Sequence, residues 1–400
     1  MDRPSAVERS LRKAAPHEIF DVIRSLIERR HHARSVELLM ADYAMTRLQP
    51  IGVLPHTLPP LSVHDSAPGR AFGAQKPHCV YDASTSTVTA HLPVSVRGDR
   101  LGVLSVRMEG GEDGLAAGAV EQLQEYADAL AHEVVVAERD TDLFLQARRA
   151  ERLTLAAEMQ WQLLPGRSCA RPEYSLGAQL EPAYAIFGDS FDWSASADDL
   201  YVTVSNGMGE GIEAALLTSL MVNALRNARR AGLNLSDQAY LADQAIYGQH
   251  QGSRYLSTLL LRFHLPTGDV EIIDAGSPRI WRMRKGAVEP VELEAQMPLG
   301  MFQDTAYISQ HFRVEPGDRL LFASDGVYDA LSPGGEKYSF RALAASITST
   351  RLLPASQVPR AILQELLGYR GSGPAVDDSL VVCLDWHGGP DPGHRVIPDM

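Results

Sequence analysis

The stretch Tyr201–Leu217, YVTVSNGMGEGIEAALL, sets the reading of the chain. An alternating β-type run ends at Asn206, a turn with Gly207, Gly209 and Gly211 follows, and a helix-forming segment begins. Glycines at that density let the backbone come close to another group. The side chain at the strand end, Asn206, is uncharged. A dinucleotide fingerprint is a poor fit, because GMGEG lacks the GxGxxG spacing and no second strand ending in an acid follows about twenty residues on. Neither a Walker GxxxxGK[ST] stretch nor a GxSxG elbow occurs, which excludes a P-loop and leaves serine-hydrolase chemistry without a nucleophile.

Outward from this turn, acids sit where apolar strands begin or end. AIFGDSFDW carries Asp189 and Asp192, LLFASDG ends in Asp325, and AVDDSLVV starts with Asp377 and Asp378. Carboxylates brought together repel one another unless a cation lies among them. Oxygen ligands without His or Cys suit Mg²⁺ or Mn²⁺, and such ions lower the pKa of bound water for hydrolysis. His250, His264 and His311 have no acidic partner close in sequence and read as structural or solvated.

The 400 residues allow two or three domains, and a net charge of −13 argues against nucleic-acid binding and against an anionic membrane surface. Three dispersed cysteines and no CxxC argue against zinc and a disulfide framework and fit a reducing cytoplasm. With no apolar run near 18 residues, neither a signal peptide nor a membrane span is expected.

After a short tail (1–14), helical spacing of Ile19, Phe20, Ile23, Leu26 and Ile27 opens a small α+β domain over about 15–138. It continues through a strand-like SVELLMADYAMTRL, a Pro-rich loop, a hairpin around Arg97-Gly98-Asp99 and the amphipathic AVEQLQEYADALAHEVVVAER. Residues 139–164 lack Gly and Pro and repeat apolar side chains every three or four positions from Leu143 to Leu164, which predicts a linker helix suited to pairing with a second copy. From 165 to 386 strands dominate. Hairpins are expected through Pro-Thr-Gly near 266 and Glu-Pro-Gly-Asp near 316, then two helices and a last strand, and residues 387–400 read as a disordered tail.

Taken in order, LLP, EPAYAIFGDSFDW, NGMGEGIEAALL, STLLLRFHLPTGDVEIIDAGSP, MPLGM, EPGDRLLFASDGVYDA and DDSLVV resemble the SpoIIE/RsbU-type branch of the metal-dependent PPM protein phosphatases, over about residues 155–386. The N-terminal domain resembles a GAF sensor module. The resemblance implies an α+β protein: a GAF-like domain, the linker helix, and an α/β/β/α sandwich of two antiparallel sheets. It implies a two-metal Mn²⁺ or Mg²⁺ centre hydrolysing phosphoserine or phosphothreonine on a STAS-type anti-anti-sigma protein. Asp189, Asp325 and Asp377 fall on the family's metal-binding aspartates, and Gly207 on the residue giving a backbone carbonyl to the metal. Asn206 stands where the family has a metal-bridging aspartate, and the histidine of its AGHPP stretch is replaced in Ala275-Gly276-Ser277-Pro278. A phosphatase, a pseudophosphatase that binds phosphoprotein or metal without turnover, and an enzyme with a different phosphoester preference are all open. Partners implied are the phosphoprotein, a second copy through 139–164, and an unidentified signal at the GAF-like domain.

Overall fold

The alternation in residues 87–109 becomes, in the computed structural model, the central hairpin of an N-terminal sheet. The structure describes residues 6–52, 59–112, 114–116, 118–184, 187–338, 340–371 and 377–389, and divides into two units, 1–152 and 153–400. In chain order the first unit holds α1 (Ala6–Leu11), α2 (Ile19–His31), β1 (Ser35–Ala41), β2 (Arg47–Pro50), β3 (Leu61–Ser62), α3 (Ala67–Ala74), β4 (His78–Asp82), β5 (Thr87–Val96), β6 (Asp99–Glu109), α4 (Ala119–Ala137) and α5 (Leu143–Ala147). The strands form one antiparallel sheet in the order β3-β2-β1-β6-β5-β4. Val96 pairs with Asp99, and Arg97 and Gly98 between them both have positive φ (51° and 92°), the signature of a two-residue type I′ hairpin.

One sheet face, with Leu38, Met40, Leu92 and Leu104, packs on Ile23, Ile27, Leu130 and Val134. The other, with Leu39, Ala41 and Val103, packs on Ala71 and Phe72 of α3. This arrangement is compatible with the GAF-like expectation. SVELLMADYAMTRL is two strands and not one. Asp42 Oδ1 accepts from the N–H groups of Thr46 and Arg47 at 2.7 and 2.8 Å and folds the chain back. The centre of the Pro-rich loop (53–58) and most of the tail (390–400) lie outside the described residues.

The linker helix expected over 139–164 is not continuous. α5 ends at Ala147, and α6 (Leu155–Leu163) starts afresh behind Thr154, whose Oγ1 accepts from Ala157 N at 3.2 Å. The apolar repeat serves two separate cores: Phe144 and Ala147 join the N-terminal one, while Leu153, Ala157 and Trp161 join the C-terminal one. The unit boundary accordingly falls between 152 and 153.

Beyond α6 come β7 (Ser168–Ala170), β8 (Tyr174–Glu181), β9 (Ser190–Ala195), β10 (Asp199–Gly207), α7 (Gly211–Arg230), α8 (Leu235–His250), β11 (Leu256–His264), β12 (Asp269–Ala275), β13 (Arg279–Arg284), β14 (Ala287–Pro290), β15 (Gln310–Arg313), β16 (Arg319–Ala323), α9 (Asp325–Tyr328), α10 (Phe340–Ser349), α11 (Val358–Arg370) and β17 (Ser379–Trp386). They build two antiparallel sheets, β15-β12-β11-β10-β9 and β14-β13-β16-β17-β8-β7. Strand alternation shows why they stack. Leu259, Leu261 and Phe263 of β11 meet Leu320, Phe322, Leu380, Val382 and Leu384 of the other sheet in a shared core. The intervening residues face outward: Leu256 and Leu260 onto α7 and α8, and Leu321, Val381 and Cys383 onto α10 and α11. Strands covered on both sides read as nearly continuous apolar runs. The result is the expected α/β/β/α sandwich.

The Pro-Thr-Gly turn makes the β11–β12 hairpin as expected. The Glu-Pro-Gly-Asp turn does not make one: β15 pairs with β12 in one sheet, while β16 pairs with β13 and β17 in the other. Asp318 fixes this crossing, accepting from Glu315 N at 2.8 Å and pairing with Arg284 at 2.6 Å. Among the described residues no helix is long and apolar enough to cross a membrane.

Candidate metal centre

The glycine-rich turn joins β10 to α7, and Gly209 (φ 97°) and Gly211 (φ 66°) take backbone angles that other residues rarely adopt. Gly207 is glycine for a different reason. A Cβ there would lie 2.4 Å from the carbonyl oxygen of Gly188, so two loops touch backbone to backbone. Thr218 Oγ1 of α7 donates to that same carbonyl at 2.9 Å.

The loop carrying Gly188 is held from the far end of the chain. Asp378 Oδ2 accepts from the N–H groups of Phe187, Gly188 and Asp189 at 2.7, 2.8 and 3.1 Å. From α6, Gln160 Nε2 donates to the backbone carbonyl of Asp189. Gly326 allows the last strand to close in, since a Cβ on it would lie 1.8 Å from the Asp378 carbonyl oxygen.

Within this frame Asp189 is 2 % exposed, and its Oδ2 has no hydrogen-bond partner among the described residues. Burial raises its proton affinity well above that of an ordinary carboxyl; the charges of Asp378, Asp377 and Asp325 add to this, and a hydrogen bond to Ser324 opposes it. Half-buried Asp377 is pushed up by burial first and then by Asp325, with Arg370 opposing. Asp378 is raised to about 7, chiefly by burial, even though three N–H groups favour its charged form. Asp325 begins α9, its Oδ1 accepting from Gly326 N at 2.7 Å. Arg370, whose own pKa burial lowers, donates to the Gly326 carbonyl and, at 2.8 Å, to Ser379 Oγ.

Asp189, Asp325 and Asp377, far apart in sequence, are therefore electrostatic neighbours. Asn206 and Gly207 end β10 opposite Ser257 and Leu256, and Gly207 touches the Gly188 backbone beside Asp189. Among the described residues no three Asp, Glu, His or Cys side chains close around one point at ligand distance. The donor chemistry nevertheless fits a hard divalent cation: all the acids offer oxygen, they raise one another's proton affinity, and Asp189 Oδ2 and Asp378 Oδ1 are buried without partners.

Asp192 stands apart, bound to Arg226 at 2.8 Å and Arg229 at 3.3 Å, where it ties α7 to β9. His264 does have an acidic neighbour, Asp199 Oδ1 at 3.3 Å across the strand pair. That pair lies eight residues along β10 from Gly207, roughly 26 Å at strand rise. Sequence reasoning gave no role to Asp378 or Gln160. The doubled acid of DDSLVV was a usable signal for the first; nothing local marks the second, whose partner lies 29 residues away.

Residues 196–387 match the family model described as stage II sporulation protein E, SpoIIE. Protein IcfG of Synechocystis sp. is 20 % identical over 255 residues, 57 % of this chain and 40 % of its own length. The phosphoserine phosphatase RsbU of Bacillus subtilis is 22 % identical over 193 residues, 48 % of this chain and 57 % of its own. The chain thus spans about half the length of the curated relatives it matches. Among solved structures, the RsbU and RsbW domains of Rv1364c from Mycobacterium tuberculosis align at TM-score 0.48 and 24 % identity over 55 % of this chain and 62 % of that one. The SiaA PP2C domain of Pseudomonas aeruginosa aligns at TM-score 0.48 and 18 % identity over 58 % and 94 %. With its sandwich, its glycine-rich turn and its neighbouring acids, the C-terminal unit is similar to the SpoIIE/RsbU-type PPM phosphatases, the SpoIIE model matching residues 196–387.

Proposed function

We propose that the chain is a metal-dependent phosphatase that removes phosphate from serine or threonine of a regulatory phosphoprotein of the STAS-type anti-anti-sigma class, with the N-terminal unit acting as a GAF-like sensor. The observation that carries this reading is that Asp325 and Asp377 lie close enough to Asp189 to raise its proton affinity, while the buried Asp189 Oδ2 has no partner among the described residues. The SpoIIE match and the similarity to RsbU support it. Mn²⁺ or Mg²⁺ would be held by Asp189, Asp325, Asp377, Asn206 and the carbonyl of Gly207. When bound, such ions supply a water of lowered pKa and polarise the phosphoryl oxygens. The protein's part is positional: Asp378 and Gln160 fix the backbone of Asp189, and the Gly188–Gly207 contact brings the two loops together.

One residue favours a second reading. Asn206 offers one neutral carbonyl oxygen where an aspartate offers two anionic ones. One negative charge and a two-ended bridge are missing, which suits a pseudophosphatase that binds without turnover.

The test is an assay of the purified chain with Mn²⁺ and with Mg²⁺ beside Asn206→Asp, using p-nitrophenyl phosphate and a phosphorylated STAS protein. Metal-dependent hydrolysis by the native chain is expected, with Mn²⁺ binding about tenfold tighter and turnover higher in the variant. Metal binding without hydrolysis in the native chain, with hydrolysis gained on Asn206→Asp, selects the second reading. Neither binding nor hydrolysis in either protein overturns both. Intact-mass analysis of each sample excludes deamidation of Asn206, which precedes Gly207.

A further inference from the structure

Along β12, Val270 and Ile272 point into the core between the sheets. The next position in that inward row is Asp274, paired across the strands with the core residue Leu259. A carboxylate in an apolar row breaks the pattern that builds the sandwich and calls for a reason. Asp274 is 9 % exposed; Oδ1 accepts from Gly276 N at 3.0 Å, and Oδ2 has no partner among the described residues. A carboxylate largely withdrawn from water holds its charge less readily than one in solution. Burial raises its pKa to about 6, with only the Gly276 N–H opposing.

Asp274 lines a cavity of about 540 Å³, within the size range of ligand sites. Its walls include Ile280 and Leu293 of the sandwich. Tyr328 lines it as well, one turn of α9 beyond Asp325, with its hydroxyl 2.6 Å from Ser277 Oγ. Trp281, also in the lining, is buried, and its indole Nε1–H has no partner among the described residues. The charged members are Asp274, Glu292 and Asp329 against one cation, Arg279. Arg279 is an exposed side chain lying 4.5 Å from the Tyr328 ring centre, so solvent screens it at the rim. Glu292 and Asp329 are exposed as well, and Asp329 pairs with Lys337 at 2.8 Å, so Asp274 is the one buried charge of these four; the wall beside it is apolar, and Tyr328 sets the cavity one helical turn from Asp325.

An apolar wall leading to a buried carboxylate matches a long aliphatic stem with a cationic tip. We propose that this cavity receives a lysine or arginine side chain of the phosphoprotein, so that Asp274 selects substrates with a basic residue beside the phosphorylated one. The inference rests on the phosphatase reading and names a determinant of its substrate. The ionised Asp274 and the basic side chain then share the charge-assisted hydrogen bond that Oδ2 lacks.

The experiment measures binding of fluorescent phosphoserine peptides to the full chain with Mn²⁺ present. Lysine is compared with norleucine at each position up to four residues either side of the phosphoserine. At one or more positions lysine is expected to bind about tenfold tighter, and Asp274→Asn, which keeps the shape and the Gly276 contact, is expected to abolish that difference while leaving p-nitrophenyl phosphate hydrolysis unchanged. The native lysine preference, read as a ratio at each pH, should shrink below about pH 6 as Asp274 becomes neutral; Glu292, Asp329, Arg279 and Tyr328 are the other titratable groups lining the cavity. That native-chain measurement stands even if the variant folds poorly. Equal binding of lysine and norleucine peptides at every position, or a preference that survives in Asp274→Asn, overturns the proposal. Loss of p-nitrophenyl phosphate turnover in the native chain counts against the phosphatase reading alone, because the binding ratio still reports on the cavity.

Discussion

Gly207 and Asn206 are adjacent, yet their identities answer to different forces. Gly207 is dictated by contact: its missing side chain makes room for Gly188. Gly207→Ala must push the two loops apart. It is expected to cost about 1–3 kcal/mol, as overpacking does, and to weaken Mn²⁺ binding, both readable from denaturant midpoints with and without metal. Asn206 is half-buried, and its exchange for aspartate keeps its size while adding a charge. At this scale the sequence was informative about the acids. Asp189, Asp325 and Asp377 were visible because a charge at the end of an apolar strand needs explaining. Asp378 hid behind Asp377: the two carboxylates look alike in a sequence, and only the fold turns one toward three backbone amides. Asp274 hid in the same way, since EIIDAG reads as an ordinary strand end.

Elements whose signals were local came out as read. The Arg97-Gly98 hairpin and the Pro-Thr-Gly hairpin are set by turn chemistry within a few residues. The failures were elements whose fate depends on distant partners. Glu-Pro-Gly-Asp is a turn, but whether its flanking strands pair is decided by β12 and β17, which claim one each. The 139–164 segment has helical periodicity throughout, but periodicity cannot tell that its two ends are buried in different cores. The N-terminal hairpin carries a further prediction. His91 on β5 is 8 % exposed, with Nδ1 2.8 Å from Ser105 Oγ on β6. Burial, aided by the nearby His78, lowers its pKa to about 4. The unfolded chain takes up a proton near pH 6.5, while the folded one resists until about 4. Stability tied to this group is thus complete above about pH 6.5 and drains away as pH falls toward 4, by at most about 3 kcal/mol. His91→Gln should flatten that part of the pH–stability curve of the N-terminal unit, followed by thermal denaturation.

For the whole molecule, the cores are separate: one set of apolar residues serves 1–152 and others serve 153–400. Calorimetry is expected to resolve two transitions, with Mn²⁺ raising only the one that also appears in a fragment starting at Leu153; one merged transition that metal shifts as a whole would contradict this. The order of the strands has a temporal side. β17 lies between β16 and β8 in its sheet, and Asp378 just ahead of it ties down backbone at 187–189, some 190 residues upstream. A ribosome delivers the chain from the N-terminus. While β17 is still inside the exit tunnel, the loop bearing Asp189 lacks the three hydrogen bonds to Asp378 and the sheet has a gap at its middle. A half-made chain can thus complete its N-terminal unit but not its acid cluster. The proposed activity therefore waits on β17, whatever was built before it.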